Sequence, residues 1–118
     1  HDLDINKDGW NTMILVMSHE LLTKKRAVAR RFMKAYLEGV KFVHANPAET
    51  LKIWSKEVKI GLITQMEKPP LMSPNAKLNL KGMQNTVRLL REYGFTKTEP
   101  RAEDVVDHSL IDEVLAGR

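Results

Sequence analysis

Asp4, Asn6 and Asp8 alternate ahead of Gly9, the spacing at which a calcium loop presents oxygen ligands before its sharp turn. Counted from Asp4, the eighth position is Asn11, where an apolar residue is usual, and the twelfth is Leu15, where a bidentate carboxylate should close the coordination. The run therefore reads as an acidic turn, and no metal is assigned to it. Trp10 follows Gly9 and is open to a ligand's face, although packing is the commoner task of a tryptophan. Lys24, Lys25, Arg26, Arg30, Arg31 and Lys34 fall within about three helical turns and could grip phosphates. The neighbouring aromatics, Phe32 and Tyr36, belong to an apolar face and offer no base-stacking platform, so a solvated helix face is the preferred reading.

His1, His19, His44 and His108 are scattered, without the paired spacing of a zinc site, and read as loop and cap residues. The acidic pairs Glu103-Asp104 and Asp112-Glu113 fall near helix starts or on solvated faces, with no partner expected to move their proton affinity. A Gly-x-Ser-x-Gly elbow, a glycine-rich phosphate loop and a dinucleotide fingerprint are all missing. The chain contains no cysteine, which excludes disulfides, zinc–thiolate and iron–sulfur centres and thiol nucleophiles. No reaction and no cofactor are assigned.

These residues are carried by mostly helical elements. Thr12 to Met17 is a continuous apolar run that suits a strand over 12–17 buried on both faces. One strand makes no sheet, so its partner is expected in a missing part of the chain or in another copy. Val28, Phe32, Ala35, Tyr36, Gly39, Val40 and Val43 recur every three or four positions and predict a helix over about 24–45 with that face inward. Asn46-Pro47-Ala48-Glu49 predicts a capping box opening a helix over about 47–58, with Leu51, Trp54 and Val58 on its inner stripe. A short helix over about 60–68 is stopped by Pro69-Pro70. After an irregular connector, Asn79 caps a helix over about 79–93 with Met83, Val87, Leu89 and Leu90 inward. Gly94 ends it in a left-handed turn, with Phe95 closing an apolar contact. A last helix is expected over about 103–115.

The 118 residues are 42% hydrophobic and 29% charged, a balance that belongs to a folded domain and not to a disordered or collagen-like chain. Nineteen basic against fifteen acidic residues give a net charge of +4, mildly favourable to anionic partners. Met13 to Met17, the longest apolar run, is far too short to cross a bilayer. The sequence starts at His1 without an initiator methionine or targeting segment, and it is expected to be a piece of something longer or a processed product.

The order of the pieces resembles a known family. An apolar strand ending in Ser18-His19-Glu20-Leu21-Leu22, a helix containing Arg31-Phe32-Met33-Lys34-Ala35-Tyr36-Leu37-Glu38-Gly39, and the turn Asn46-Pro47-Ala48-Glu49 succeed one another. Leu89-Leu90-Arg91-Glu92-Tyr93-Gly94-Phe95 and Val105-Val106-Asp107-His108-Ser109-Leu110-Ile111 follow. This succession resembles the C-terminal portion of the substrate-binding proteins of ABC importers for sulfonates, taurine, nitrate and thiamine-pyrimidine precursors. The resemblance implies an α/β parent fold of the type II periplasmic-binding class, in which two lobes close about a hinge. Residues 1–118 would then be a single, mainly α C-terminal fragment, with Met13 to Met17 as the strand that recrosses the hinge. It also implies an extracytoplasmic receptor, periplasmic or lipid-anchored, that hands a small anionic or heterocyclic solute to the membrane permease.

Most ligand contacts of that family lie upstream of this segment, so the fragment is not expected to hold solute alone. Trp10 and Ser18, at the two ends of the strand, are the positions expected near the cleft. Some relatives are enzymes of thiamine-pyrimidine synthesis that depend on a cysteine motif, which is not in this segment. A basic helical module for nucleic acid, resting on Lys24 to Lys34, is the rival from another class.

Overall fold

Ser18 opens the first helix because its side-chain oxygen accepts the Leu21 N–H at 3.1 Å, satisfying a donor that no helical carbonyl can reach. The computed structural model describes residues 9, 11, 14–58, 61–69 and 72–118. Helix α1 is His19–Thr23, and the amides of Lys24 and Lys25 both turn back to the Glu20 carbonyl. The helix expected over 24–45 therefore begins later, as α2, Arg26–Ala45. Pro47 then sits in the first turn of α3, Pro47–Glu57, where its missing N–H is no loss. Gly61–Gln65 is a 3-10 turn, α4 is Leu80–Glu92, α5 is Ala102–Val105 and α6 is Ser109–Leu115. The described protein is mainly helical.

The strand expected over 12–17 is not formed at Ile14 to Met17: no strand occurs among the described residues, and Thr12 and Met13 lie outside them. Ile14 to Met17 is irregular, and its backbone makes no hydrogen bond among the described residues. A strand exists only as one of a pair, and among the described residues no second segment pairs with it. Ile14, Leu15 and Val16 are accordingly exposed, Val16 to 83%.

Helix α2 is the stem of the fold, with α1, α3 and α6 packed on it. Its buried residues are Ala29, Leu37, Val40 and Val43, and α6 contributes Leu110, Ile111 and Val114. The face expected inward is thus corrected in part: Val28, Phe32, Ala35 and Gly39 are exposed. Seven-residue α6 is too short to hold its shape alone, so its helicity depends on this packing. Helix α5 is fastened to α4 by Gln84, whose side-chain oxygen accepts the Ala102 N–H at 2.7 Å.

Several local expectations are also corrected. The capping box at Asn46 does not form; its carboxamide donates to the Phe42 carbonyl at 3.1 Å instead, and Glu49 pairs with Lys52. Trp54 is half-buried and Val58 exposed, because the buried residue of α3 is Thr50. The helix read over 60–68 shortens to the 3-10 turn, closed by Met66 N–H on the Ile63 carbonyl. In α4, Asn79 caps as expected by accepting the Gly82 N–H at 3.1 Å, while Leu90 is exposed. Gly94 takes a φ of +77°, yet Phe95 after it is 78% exposed and closes no contact. The helix read over 103–115 is broken at Val106–His108, since the extended Val106 leaves the helical path.

The protein exposes 8988 Å². A compact chain of its 13.5 kDa mass would expose roughly 6,500 Å². Its radius of gyration of 16.7 Å likewise exceeds the roughly 13.5 Å of a compact domain of this length. The core is thin for the amount of chain that surrounds it.

Candidate functional site

A groove of about 630 Å³ lies between Ile14–Met17, α2, the connector before α4, and the segment entering α6. That is within the usual range of small-molecule sites, about 300–1,000 Å³. Met33 and Tyr36 of α2 line it together with Ile14, Leu15, Val16 and Met17. Met72, residues 75–79, Leu110 and Ile111 also line it.

The connector holds its shape through side chains. Asn75 Oδ1 accepts from Ser73 Oγ at 2.7 Å and from the Lys77 N–H at 3.0 Å, a local turn that asparagine favours. Ala76 adopts a φ of +58°, and its N–H donates to the Ser73 carbonyl. Two histidines tie this turn to the helices. His44 Nε2 meets the Met72 carbonyl at 2.6 Å, so that nitrogen carries the proton. The Leu78 N–H donates to His108 Nε2 at 3.1 Å, so this ring has its proton on Nδ1. Tyr36 Oη donates to Met72 Sδ at 3.4 Å.

Arg26 governs the electrostatics beside the groove. Its guanidinium donates to Glu113 from Nε at 3.1 Å and Nη2 at 2.6 Å, to Ser109 Oγ at 3.0 Å, and to the Leu22 carbonyl at 3.3 Å. Glu113 was expected to lack such a partner, and the fork corrects this. The hydrogen bonds from Arg26 hold its carboxyl below the usual glutamate range, aided by Arg30 against the opposing effect of burial. The same contact raises the affinity of Arg26 for its proton. Asp107 is held below the usual aspartate range by the hydroxyl and N–H of Ser109, then by the charge of Arg26, against the opposing effect of burial.

The polar side chains of the groove are already engaged. Asn11 and Asn79 exchange two hydrogen bonds of 2.9 Å, Lys77 pairs with Asp112, Asp107 accepts from Ser109, and His108 accepts from Leu78. They hold the lining together, and polar and apolar side chains share the groove.

The expected site residues are not brought together. Trp10 lies outside the described residues, as do Asp4, Asn6 and Asp8 of the calcium-like run. Ser18 is exposed, follows the groove wall at Met17, and spends its hydroxyl on the cap of α1. The six cations divide: Arg26 and Arg30 turn to Glu113, Lys25 pairs with Glu20, and Lys24, Arg31 and Lys34 are exposed. Among the described residues no three histidine or acidic side chains gather where a metal could sit, and no helix is long and apolar enough to cross a membrane. The contacts Arg26–Glu113 and His108–Leu78 join residues far apart along the chain and carried no signal in the sequence. Comparison with protein-family models, curated proteins and solved structures gives no match to this chain.

Proposed function

We propose that this chain is the C-terminal portion of an extracytoplasmic solute-binding receptor that serves an ABC importer. The α/β parent fold belongs to this proposal. The observation that carries it is the run Ile14–Met17: free of charge, largely exposed along a groove, and without a backbone partner among the described residues. Such a run is costly to leave open and suits a sheet element whose neighbours are encoded elsewhere. The surplus of exposed surface supports the same reading. In this scheme the groove braces the hinge, the solute lies mainly against the upstream lobe, and the closed receptor delivers it to the permease. We assign no reaction to the segment.

Reading the coding sequence upstream of His1 tests the proposal. A continuous frame encoding a first lobe and a secretory or lipoprotein leader is expected. The intact product should then show a thermal shift with a sulfonate, nitrate or pyrimidine in a solute panel, as binding to the native state requires. A frame that starts at His1, or an intact product indifferent to the whole panel, would overturn it.

A further inference from the structure

A backbone N–H can only donate, so the ring that receives the Leu78 N–H must offer a bare nitrogen. His108 Nε2, 3.1 Å away, is that acceptor, and the imidazole is therefore neutral in this structure. Both residues are half-buried. His44 works in the opposite sense at the other end of the same connector, because its Nε2 donates to the Met72 carbonyl. A second proton on His44 leaves that bond in place, since both nitrogens of an imidazolium are donors. A second proton on His108 abolishes its bond, because two N–H groups would then face each other across the gap.

The groove is lined by residues 75–79 and also by residues 105–108, so the Leu78–His108 bond ties two of its lining segments together. Ala76, between the two ends of the connector, holds a φ of +58°, a conformation that a residue with a Cβ keeps only while its surroundings enforce it. Cutting a tether lets that strain relax. The charged groups of the elements that meet here are Asp107 beside the ring, Lys77 on the connector, Asp112 on α6 and Arg26 on α2. Each is already committed: Asp107 to the Ser109 N–H, Lys77 to Asp112, and Arg26 to Glu113. The Lys77–Asp112 pair acts through a long, flexible side chain, so it limits the travel of the connector without fixing Leu78.

From this geometry we infer that His108 is a proton-operated latch on the groove. Neutral, it holds the connector to the segment entering α6. Protonated, it lets go at Leu78 while His44 keeps the Met72 end pinned, and the groove opens about that end. The added proton is compatible with the open form alone, so by linkage the groove opens as pH falls and closes as it rises. Imidazoles change charge between about pH 5 and 8, so the latch answers to mild acidification. Asp107 and Glu113, both held below the usual carboxylate range, lose their charge only in stronger acid. This inference is independent of the importer proposal.

The test follows amide exchange at Leu78, corrected for the intrinsic effect of pH, together with the histidine ring signals by NMR. Between about pH 7.5 and pH 5, Leu78 protection in the wild type should fall about ten-fold or more, the scale of one lost part-buried hydrogen bond. The buried Val40 amide should stay protected throughout, which separates the opening from general unfolding. The methyl signals of Ala76 and Ile111, both lining the groove, should move with the same midpoint as Leu78. His108→Gln supplies an acceptor oxygen that does not titrate, so its Leu78 protection should stay level across the window. Level protection in the wild type, a step that persists in His108→Gln, or a neutral His108 ring with its proton on Nε2 would each overturn the inference. Should His108→Gln fail to fold, the wild type alone decides: the His108 ring and the Leu78 amide must share one midpoint, and separate midpoints would overturn the latch.

Discussion

Replacing Leu110 by alanine should detach α6 from α2 and open the groove that Leu110 helps to line. Leu110 is 3% exposed, so the three carbons removed are all taken from a packed interior. Their transfer accounts for about 2.5 kcal/mol at 0.8 kcal/mol per methylene. The space left behind raises the total toward the upper part of the 2–5 kcal/mol range, because α2 on the opposite side is a rigid stem that cannot collapse inward. A chain of this length holds on the order of 6–18 kcal/mol in all, and the open surface described above argues for the lower part of that span. Leu110→Ala should therefore remove a third to a half of the stability and lower the thermal midpoint by roughly 10–20 °C. Urea unfolding followed by circular dichroism at 222 nm measures it, with Phe32→Ala as the paired control. Phe32 is half exposed, and alanine's better helix propensity offsets part of its loss, so that variant should cost less than about 1 kcal/mol. If Phe32→Ala proves as damaging as Leu110→Ala, or if Leu110→Ala costs under about 1 kcal/mol, the assignment of the two faces of α2 is wrong.

Gly82→Ala sets two effects against each other: alanine favours the helix by up to about 1 kcal/mol, but its methyl would lie 2.5 Å from the Gly9 carbonyl oxygen. The segment at Gly9 and Asn11 should lift off while α4 persists, read as faster amide exchange at Asn79 with an unchanged helical signal; unaltered exchange would mean that this segment is not seated there. Glu113 and Asp107 both have lowered folded values, so their contribution is complete above the ordinary carboxylate range and disappears as pH falls through the folded values. The thermal midpoint should drop on acidification below about pH 4, and Arg26→Lys, which loses the two-pronged contact, should lower the midpoint at neutral pH and flatten that drop; parallel curves for the two proteins would contradict this. Ser18→Ala removes a cap worth about 1 kcal/mol to α1, yet α1 buries nothing. Amide exchange at Leu21 should quicken while the global midpoint scarcely moves, and a large global loss would show that α1 carries more of the fold than its exposure indicates.

The parts of the fold legible in the sequence are those fixed by neighbours along the chain. The period of α2, the proline that opens α3 and the Asn79 cap of α4 are local matters, and each is visible in a few adjacent residues. Which way α2 faces is not local. Two stripes, one through Phe32 and one through Val40, satisfy the same spacing, and only the arrival of α6 selects between them. Ile14 to Met17 shows the limit differently, because an apolar run has no period and becomes a strand only when a second segment pairs with it. The site was harder still to read. Arg26 and Glu113 are 87 residues apart, and Leu78 and His108 are 30 apart, so no motif of adjacent residues marks either contact. Asn46 illustrates the smaller failures: its carboxamide had two carbonyl and amide destinations within reach, and the preceding helix took it.

Met17, Met33 and Met72 all border the groove, and Met72 receives the phenol of Tyr36 on its sulfur. Thioethers are unbranched and polarizable, so this lining can remould itself around occupants of different outline at little penalty. The same atoms are open to peroxide. Oxygen added to them would turn pliable thioethers into sulfoxide dipoles along the groove, and a methionine sulfoxide reductase would be needed to restore them.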